Sequence, residues 1–449
     1  MKSFQDKKVS KNDDGTLSLK YIKRIWDSLK RPRVMVIGDV MLDQFTYGDI
    51  SRISPEAPVA VVKHMKSEFT PGGAANVALN LKMLNANPIL LGVVGQDYVA
   101  NELESLCRNF GIKSHLTRES SRHTTLKHRI IARNQHLLRL DQEATFPISS
   151  SSEVKLLTIV KKELPRCKGV ILSDYAKGVL TPNLVSSTIK LAKMNNIPIL
   201  ADIKPYNKNL FVGVDLIKLN LKEAQDITGE KEVEKAGKVL AKFYKSDILL
   251  SRGADGMSAF PKNGSKSIYF PATFGVARDV SGAGDTVIAV AALCKIAKFD
   301  LATTSYVSNL AGGISVQKHG TTPVTYDELL FHVSEKYHVE AAYTVEKLWG
   351  YEKWLYNDEK YCCKLLFVKE GYQCSLHFHK NKDETFFVVR GHIRLELGKD
   401  ILHFRTGHYV RIPPGTRHRF LGLEDTEIIE SSTHHNETDS YRIELSRKA

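Results

Sequence analysis

A glycine-rich segment with one carboxylate, followed directly by an apolar run, offers the clearest chemistry in this sequence. It reads Val280-Ser281-Gly282-Ala283-Gly284-Asp285-Thr286, and residues 287–293 are all apolar. This order predicts a loop that becomes the first turn of a helix. The two glycines leave no Cβ in the way of a ligand, and the free N–H groups at residues 282–284 can hold a phosphate.

Asp285 would lie where it can accept a proton from a hydroxyl that attacks this phosphate. At a helix N-terminus we expect it to be a weak base, because the helix dipole favours the ionised carboxylate. The alternative is an ordinary glycine-rich turn with Asp in a favourable first-turn position, since short glycine motifs are weak signals by themselves.

A second group of potential ligands lies near the C-terminus, at His377, His379, Glu384 and His418. Residues i and i+2 of a strand face the same way, so the first two imidazoles would point to one side. Three imidazoles and a carboxylate suit a divalent metal such as zinc, manganese, iron or nickel. A histidine taken alone is more often structural, whereas here four potential ligands occur together. We interpret the adjacent pair at 434 and 435 as surface residues.

Strands and helices alternate over the first two thirds of the chain, which predicts an α/β fold with a doubly wound, mainly parallel sheet. Two extended segments, Val59–His64 and Thr125–Arg133, interrupt this rhythm and predict a separate small β lid. The predicted apolar strands lie at residues 34–37, 89–94, 169–172, 197–201, 216–219 and 248–250.

The pattern changes near residue 345, where short alternating strands predict an all-β sandwich or barrel. We therefore divide the chain into an extension at 1–30, an α/β domain at 31–330, a linker at 331–348 and a second domain at 349–449. The predicted strands of the second domain lie at residues 362–369, 385–389, 392–397, 401–404, 409–412, 426–431 and 441–445.

Composition favours a cytoplasmic protein that acts on small anions. The net charge is +14 over 449 residues, of which +13 falls in residues 1–344. A basic first part suits nucleotides and sugar phosphates. The sequence shows neither a basic-aromatic module for nucleic acid nor an apolar run long enough for a membrane. Six scattered cysteines and a polar N-terminus favour a reducing compartment without a secretory signal.

Several motifs, taken together and in order, resemble those of ribokinase-family sugar kinases, and more closely the branch that acts on D-glycero-β-D-manno-heptose 7-phosphate. The resemblance spans about 300 residues. The motifs are Gly38-Asp39-Val40-Met41-Leu42-Asp43, the segments 52–59 and 71–78, Asn220-Leu221-Lys222-Glu223, the segment 252–257 and the loop 282–286.

This resemblance implies a site for ATP and Mg²⁺. It places Asn220 and Glu223 beside the nucleotide phosphates, with Glu223 reaching Mg²⁺ through water. A monovalent cation would lie near Asp279 and Ser281. The residues expected around the nucleotide are Ser251, Gly253, Gly256 and Asn309. The sequence holds no Gly-x-x-x-x-Gly-Lys-Ser/Thr loop.

The sugar is expected near residues that follow the first strand and flank the next helix. Asp39 and Asp43 would accept hydrogen bonds from sugar hydroxyls, although capping or solvation is the alternative for both. Gly72 and Gly73 would let the backbone approach the sugar, and Asn76 would offer an amide.

A substrate that already carries a phosphate needs cations. Lys127, Arg129 and Arg133 share one strand face by the period of two, and with Arg139 and Lys204 they could grip a distal phosphate. The alternative is a solvated lid edge whose charges discourage strand pairing. The family resemblance also implies a homodimer through the lid strands.

The spacing around the histidine group matches both halves of the cupin signature, and the segments 349–352 and 412–418 resemble the cupin domain of phosphomannose isomerases. A cupin of jelly-roll form with metal-assisted aldose–ketose isomerisation is therefore implied. No His-x-Gly-His motif occurs, so we do not expect nucleotidyltransferase activity. Two other functions stay open, namely phosphorylation of another sugar or nucleoside, and a silent sugar-phosphate-binding regulator.

Overall fold

The computed structural model describes residues 26–132, 135–273, 277, 279–318, 320–333, 343–358 and 360–449. Contacts divide the chain into two compact units, Met1–Ser334 and Glu335–Ala449. Most of the predicted extension at 1–30 and half of the predicted linker at 331–348 lie outside the described residues. The domain boundaries at 31–330 and 349–449 remain our proposal.

The first unit alternates strands and helices. Its strands are β1 (Arg33–Gly38), β2 (Val40–Ile53), β3 (Ala60–Gly73), β4 (Asn87–Val94), β5 (Lys113–Arg118), β6 (Thr125–Ala132), β7 (Gln135–Gln142), β8 (Gly169–Ser173), β9 (Ile199–Asp202), β10 (Leu216–Asn220), β11 (Asp247–Ser251), β12 (Met257–Phe260) and β13 (Ile268–Phe270). Its helices are α1 (Ala74–Met83), α2 (Tyr98–Asn109), α3 (Ser150–Glu163), α4 (Pro182–Met194), α5 (Leu221–Thr228), α6 (Val233–Tyr244), α7 (Ala283–Ile296), α8 (Leu301–Val316) and α9 (Tyr326–Val333).

Within the described residues the main sheet has nine strands in the order β13-β12-β11-β10-β9-β8-β1-β4-β5. All neighbours from β11 to β5 pair parallel, and β12 and β13 pair antiparallel at the edge. Val34 and Val36 of β1 pack into the core on one face, while Met35 and Ile37 pack into the core on the other. Burial on both faces explains the continuous apolar strand runs, and the predicted doubly wound α/β fold is confirmed.

Helix α7 (Ala283–Ile296) carries the glycine-rich segment into the core. Residues 285–294 of this helix are all buried, because its sequence is apolar on every side. The helix therefore begins at the ligand-facing end of the sheet and holds Asp285 in a fixed position.

The lid is a second sheet with the order β3-β2-β6-β7 in the described residues. Strands β2 and β3 each run for 14 residues and pair antiparallel, and β6 pairs parallel with β2. The prediction covered only the start of β3 and all of β6. The rest was missed because these strands carry polar residues without a clean period of two.

Gly38 lies where β1 meets β8, and this contact makes a testable prediction of stability. A Cβ at this position would lie 1.9 Å from the backbone oxygen of Ser173. We expect Gly38→Ala to lower the free energy of unfolding by about 1–3 kcal/mol, because the strand backbones must separate. Urea denaturation measures the loss. Gly169→Ala is the control, since its Cβ would meet only the movable end of Ile296 at 2.8 Å. Equal losses for the two variants would contradict the prediction.

The second unit is built from strands, as predicted. They are β14 (Tyr343–Lys347), β15 (Gly350–Asn357), β16 (Tyr361–Val368), β17 (Tyr372–Gln373), β18 (Leu376–His379), β19 (Glu384–Arg390), β20 (His392–Leu397), β21 (Asp400–Arg405), β22 (Tyr409–Ile412), β23 (His418–Gly422), β24 (Thr426–Thr433), β25 (Ser440–Glu444) and β26 (Arg447–Lys448).

In the described residues these strands form two sheets. One has the order β14-β15-β16-β24-β19-β22, and the other contains β21-β20-β23-β17-β26 with β18 and β25 attached. The core between them includes Trp349, Val388, Leu395, Phe420 and Ile428. Such a two-sheet sandwich is the expected cupin architecture.

All six cysteines are free thiols. Among the described helices, none combines the length and the apolar character that crossing a bilayer requires.

Candidate functional site

Asp285 lies in the first turn of helix α7, where the sequence places it. The loop reaches the helix through Gly282, which has a φ of +77° and precedes the first helical residue. The Tyr175 hydroxyl donates to Oδ1 of Asp285 at 2.6 Å, and Asn76 Nδ2 donates to Oδ2 at 2.7 Å. Asp285 is 4 % exposed. The carboxylate is therefore held from two sides within the core.

The prediction that Asp285 is a weak base, with a lowered pKa, is wrong. Burial raises the pKa of Asp285 to about 6, although the hydrogen bonds from Tyr175 and Asn76 lower it and Asp202 and Lys218 act in opposite senses. Desolvation of the ionised form outweighs the favourable helix dipole at this position. A carboxylate with a pKa near 6 is a stronger base than an ordinary aspartate.

A cavity of about 460 Å³ opens beside the start of this helix. The structure brings most of the predicted nucleotide residues together around it. They are Asn220, Ser251, Gly253, Gly256, Ala283, Gly284 and Asn309. Asn309 donates from Nδ2 to the carbonyl of Pro271 at 2.8 Å, which fixes its amide at the wall. The volume and the mixed lining suit a nucleoside with its phosphates.

Asn220 and Glu223 meet as a capping box at the start of helix α5 (Leu221–Thr228). Asn220 Oδ1 accepts from the Glu223 amide, and Glu223 Oε2 accepts from the Asn220 amide, both at 2.8 Å. The other oxygen of Glu223 pairs with Lys204. Both groups are thus fixed by local contacts, and Lys204 lies beside Glu223.

The predicted sugar contacts of Asp39 give way to a structural role. Its carboxylate accepts from the backbone amides of Tyr175, Lys177 and Val179 at 2.8–3.0 Å, and the residue is 1 % exposed. Asp39 therefore anchors the loop 174–179. Asp39 lies between β1 and β2, whereas Asp43 lies inside β2.

The two glycines before helix α1 serve close contacts within the protein. A Cβ on Gly72 would meet Asp43 Oδ2 at 2.3 Å, and one on Gly73, where φ is +57°, would meet the Asp39 carbonyl at 2.4 Å. Both glycines therefore allow close packing against Asp39 and Asp43, and the approach of this backbone to a sugar stays a prediction. Asn76 faces the Asp285 carboxylate.

The predicted phosphate-gripping cations differ in their surroundings. Arg129 pairs with Asp43 at 2.5 Å, and Arg139 is exposed and pairs with Asp141 at 2.9 Å. Arg133 lies outside the described residues. Lys127 is half-buried over the Tyr175 ring, and in the described part of the chain no carboxylate lies within ion-pair distance of it. A shared grip of these cations on a phosphate stays a prediction, and Lys127 is the one among the described members whose charge is not paired with a carboxylate.

Asp279 and Ser281 lie just before the glycine loop. Asp279 accepts from the Ser281 amide at 2.8 Å and from the Gly320 amide at 3.0 Å. These contacts tie the loop to the segment that follows helix α8. The Asp279 carboxylate thus orders the segment that leads to Asp285.

The four predicted metal ligands of the second unit converge. The imidazole nitrogens of His377, His379 and His418 lie within 4.8 Å of one another. Glu384 Oε1 lies 3.3 Å from His379 Nε2 and 3.1 Å from His418 Nε2. Strand β18 supplies the first two histidines on one face, β19 the glutamate and β23 the last histidine.

Backbone carbonyls set the tautomer of all three rings. Nδ1 of His377, His379 and His418 lies 2.8–3.0 Å from the carbonyls of residues 375, 439 and 416, respectively. A carbonyl only accepts, so each Nδ1 donates and each Nε2 keeps a lone pair for a ligand. Burial lowers the pKa of His377 to about 3, which keeps that ring neutral. This donor set fits a divalent transition metal.

A buried lysine supports the glutamate of this group. Lys382 Nζ lies 2.7 Å from Glu384 Oε2 and 2.5 Å from Glu430 Oε1. Burial opposes ionisation of Glu384, but the Lys382 ammonium holds its pKa below the ordinary value. Oε2 is thus committed to Lys382 and Oε1 is directed at the histidines. The surface assignment of His435 is wrong, because its half-buried ring packs against Trp354 at 4.8 Å in the adjoining cavity of about 430 Å³.

Comparison with known proteins decides the family. Residues 31–327 match the family described as "pfkB family carbohydrate kinase". The chain belongs to the pfkB family of carbohydrate kinases. Its first unit has the ribokinase-like fold, and residues 365–430 match the family described as "Cupin domain". The predicted pairing of a sugar-kinase domain with a cupin is confirmed.

The pfkB domain has relatives at about 40 % identity. It is 40 % identical over 305 residues to "Bifunctional protein HldE" of Coxiella burnetii, covering 67 % of this chain and 63 % of the relative. It is 41 % identical over 302 residues to the protein of that name from Alkalilimnicola ehrlichii, covering 66 % and 62 %. The chain therefore spans less than two thirds of these relatives.

Solved structures share the fold of the pfkB domain. One is the ribokinase of Arabidopsis thaliana complexed with ribose and ATP, with a TM-score of 0.53, 18 % identity, and coverage of 68 % of this chain and 99 % of the other. Another is phosphofructokinase-2 of Escherichia coli in complex with substrates and products, with a TM-score of 0.55, 16 % identity, and coverage of 68 % and 98 %.

Sequence reasoning missed three polar residues near Asp285, the predicted general base of the pfkB site. Tyr175 follows β8, Asp202 ends β9, and Lys218 lies near the end of β10, where its Nζ is 2.8 Å from Asp202 Oδ2. Lys218 also lines the nucleotide-sized cavity. A signal was present, because carboxyl ends of adjacent parallel strands meet at one edge of the sheet.

Proposed function

We propose that this pfkB-family protein transfers the γ-phosphate of ATP to the anomeric hydroxyl of D-glycero-β-D-manno-heptose 7-phosphate, giving the 1,7-bisphosphate. One observation carries the proposal, namely the buried Asp285 carboxylate at the start of helix α7, beside the cavity that the predicted nucleotide residues line. The motif resemblance and the HldE-named relatives favour this acceptor.

The mechanism is direct transfer. The anomeric oxygen attacks the γ-phosphorus as its proton passes to Asp285, and the bond from that phosphorus to the bridging oxygen breaks to release ADP. In the described part of the chain, the amides of Gly284 and Asp285 donate to no protein acceptor, whereas the Ala283 amide lies 3.4 Å from the Val280 carbonyl. These amides can stabilise charge on the moving phosphoryl group.

The acceptor's own phosphate is assigned to the lid side of the site. Lys127 supports this assignment because it is half-buried and, within the described residues, without a carboxylate at ion-pair distance. Lys204 contacts the same Tyr175 ring and also forms an ion pair with Glu223. Arg129 would act through Asp43, and Arg133 and Arg139 remain predicted contacts of the lid.

Mg²⁺ is assigned to Asn220 and Glu223. Their oxygen atoms are of the type that Mg²⁺ prefers, and contact through water leaves the capping box intact. The ion would neutralise charge on the β- and γ-phosphates. We also propose that Asp279 and Ser281 help to hold a monovalent cation, and that two protomers pair through their lid strands in the cytoplasm.

A sugar panel tests this proposal. The full chain is incubated with ATP and Mg²⁺ and with heptose 7-phosphate, fructose 6-phosphate, ribose or a nucleoside, and ADP is measured. Release confined to heptose 7-phosphate supports the proposal. Release with another acceptor would replace the substrate, and ligand binding without ADP release would indicate a silent regulator.

The pH dependence of kcat/KM for the acceptor follows from the Asp285 carboxyl. A general base must be ionised, and the pKa of Asp285 in the free protein is raised to about 6, so the ionised form predominates above that pH. We expect kcat/KM to fall about tenfold per pH unit as the pH drops below about 6 and to be level above it. Steady-state assays at saturating ATP and low acceptor concentration measure this limb. An unchanged kcat/KM down to pH 5 would contradict the assignment.

We further propose that the cupin is a metal-dependent isomerase for a ketose 7-phosphate such as sedoheptulose 7-phosphate. Its metal would be held by His377, His379, Glu384 and His418, and it would polarise the carbonyl group next to the transferred proton. The cavity supports an anionic substrate, because Arg442 lines it and no carboxylate lies within ion-pair distance of this arginine in the described part of the chain.

Isomerisation is tested by incubating the full chain with sedoheptulose 7-phosphate and Zn²⁺, Mn²⁺, Fe²⁺ or Ni²⁺ in turn. Formation of an aldose 7-phosphate supports the proposal. Metal binding without isomerisation would leave a sugar-binding or sensory cupin. The Arg442→Gln variant should raise KM for the phosphorylated ketose more than it changes kcat, since the guanidinium binds the anion in the ground state as well.

A further inference from the structure

The hydroxyl of Tyr175 contacts Asp285, the proposed general base, and has no role in the mechanism above. It donates to Asp285 Oδ1 at 2.6 Å, while Asn76 donates to the other oxygen at 2.7 Å. An O–H donor at this distance from a carboxylate is a short, charge-assisted hydrogen bond. It favours the ionised carboxylate against the burial that opposes it.

Two buried carboxylates, Asp39 and Asp174, fix the backbone of the loop that carries Tyr175. Asp39 accepts from the backbone amides of Tyr175, Lys177 and Val179, and Asp174 accepts from the Ala176 amide at 2.8 Å. Ala176 has a φ of +54°, in the left-handed region that residues other than glycine rarely adopt. Several hydrogen bonds fix the backbone of this turn, so the Tyr175 hydroxyl is held in position to donate to Asp285.

The ring of Tyr175 contacts the two cations assigned to the acceptor's phosphate. Lys127 Nζ lies 5.5 Å and Lys204 Nζ 5.4 Å from the ring centroid. Both distances are within the range of a cation–π interaction. One side chain thus contacts the proposed base through its oxygen and the proposed phosphate cations through its ring.

We propose that Tyr175 is a positioning residue of the kinase reaction, whose hydroxyl keeps Asp285 ionised and oriented while its ring holds Lys127 and Lys204 toward an anionic acceptor. The proposal rests on Asp285 being the base. The other charged groups that act on Asp285 are Asp202 from β9 and Lys218 from β10, with Lys204 beyond β9. Asp202 opposes ionisation of Asp285, and Lys218 favours it. Loss of the tyrosine hydroxyl removes one of the groups that lower the pKa of Asp285, so this pKa should rise.

A titration that needs no substrate tests the first half. Protein labelled with ¹³C at the aspartate Cγ is titrated by NMR, and the Asp285 signal is assigned by its loss in Asp285→Asn. We expect a midpoint near 6 in the parent protein and a midpoint about one to two pH units higher in Tyr175→Phe. Tyr206→Phe is the control, because Tyr206 is 87 % exposed. An unchanged midpoint in folded Tyr175→Phe would overturn the proposal.

A second measurement avoids any substitution. Incorporation of 3-fluorotyrosine makes the phenol more acidic and strengthens the hydrogen bond that it donates. The Asp285 midpoint should then move below that of the unlabelled protein, opposite to the shift in Tyr175→Phe. Movement in the same direction as Tyr175→Phe, or no movement, would count against Tyr175 as the donor.

Kinetics test the second half with whichever acceptor the panel identifies. Tyr175→Phe keeps the ring, so we expect a lower kcat, an acidic limb moved to higher pH and little change in KM for the acceptor. Tyr175→Leu also removes the ring and should raise that KM about threefold to thirtyfold for a phosphorylated acceptor. Equal KM values in the two variants would remove the ring's role. Failure of heptose 7-phosphate as acceptor would overturn the proposed substrate and leave the NMR result standing.

Discussion

Asp285→Asn is expected to lower kcat by about 10²- to 10⁴-fold, because the amide cannot take the proton of the attacking hydroxyl. The variant should stay folded, since an amide oxygen can still accept the hydrogen bond that Tyr175 donates at 2.6 Å. ATP binding should be nearly intact, because Asp285 does not line the nucleotide-sized cavity. Steady-state kinetics and calorimetric titration with ATP measure the two quantities separately.

The matched control for this variant is Asp226→Asn. Asp226 is exposed on helix α5 (Leu221–Thr228), and its change removes the same charge from a side chain that does not line the nucleotide-sized cavity. Its kcat should equal that of the parent protein. A turnover in Asp285→Asn that matches the control would remove Asp285 from the reaction, and a joint loss of ATP binding would indicate that the variant had disturbed the loop instead.

Much of the fold follows from local patterns in the sequence. The strands of the parallel sheet are nearly continuous apolar runs because both faces are covered, so β1, β8 and β10 lie within one residue of their predicted ends. The lid strands β2 and β3 give a weaker pattern, because one sheet of mixed exposure does not impose a strict alternation. In the second unit β23 was missed as a strand, since it begins with a histidine and follows a Pro-Pro-Gly turn.

The site was predictable in its location and less so in its pairings. Residues at the ends of parallel strands and at a glycine-rich helix start converge by topology, which explains why the nucleotide residues share one cavity. The partner of each charge depends on contacts between distant segments. Arg129 meets Asp43 across 86 positions, and Asp39 meets the loop at 175–179 across about 140. No spacing rule encodes such pairs.

The pKa of Asp285 likewise depends on contacts that the sequence alone does not reveal. Sequence gives the helix N-terminus and therefore a dipole that favours the carboxylate. It does not give the burial of the side chain, which raises the pKa to about 6 against that dipole. The competing contributions are separated only once the neighbours Tyr175, Asn76 and Asp202 are known. Burial thus converts an ordinary first-turn aspartate into a group suited to accept a proton near neutral pH.

His379→Ala is expected to lower the affinity of the cupin for a divalent metal by more than about 100-fold, because the loss of an outer-shell partner alone typically costs 10–100-fold. The variant removes an Nε2 that lies 3.3 Å from Glu384 Oε1, in a group whose tautomers are fixed by backbone carbonyls. The fold should persist, since Lys382 still neutralises Glu384 at 2.7 Å. Elemental analysis and titration with Zn²⁺ or Mn²⁺ measure the loss, with exposed His434→Ala as the control. Retention of the parent protein's metal content would contradict the ligand assignment, whereas loss of metal with unchanged ADP release would show that the kinase reaction does not depend on this centre.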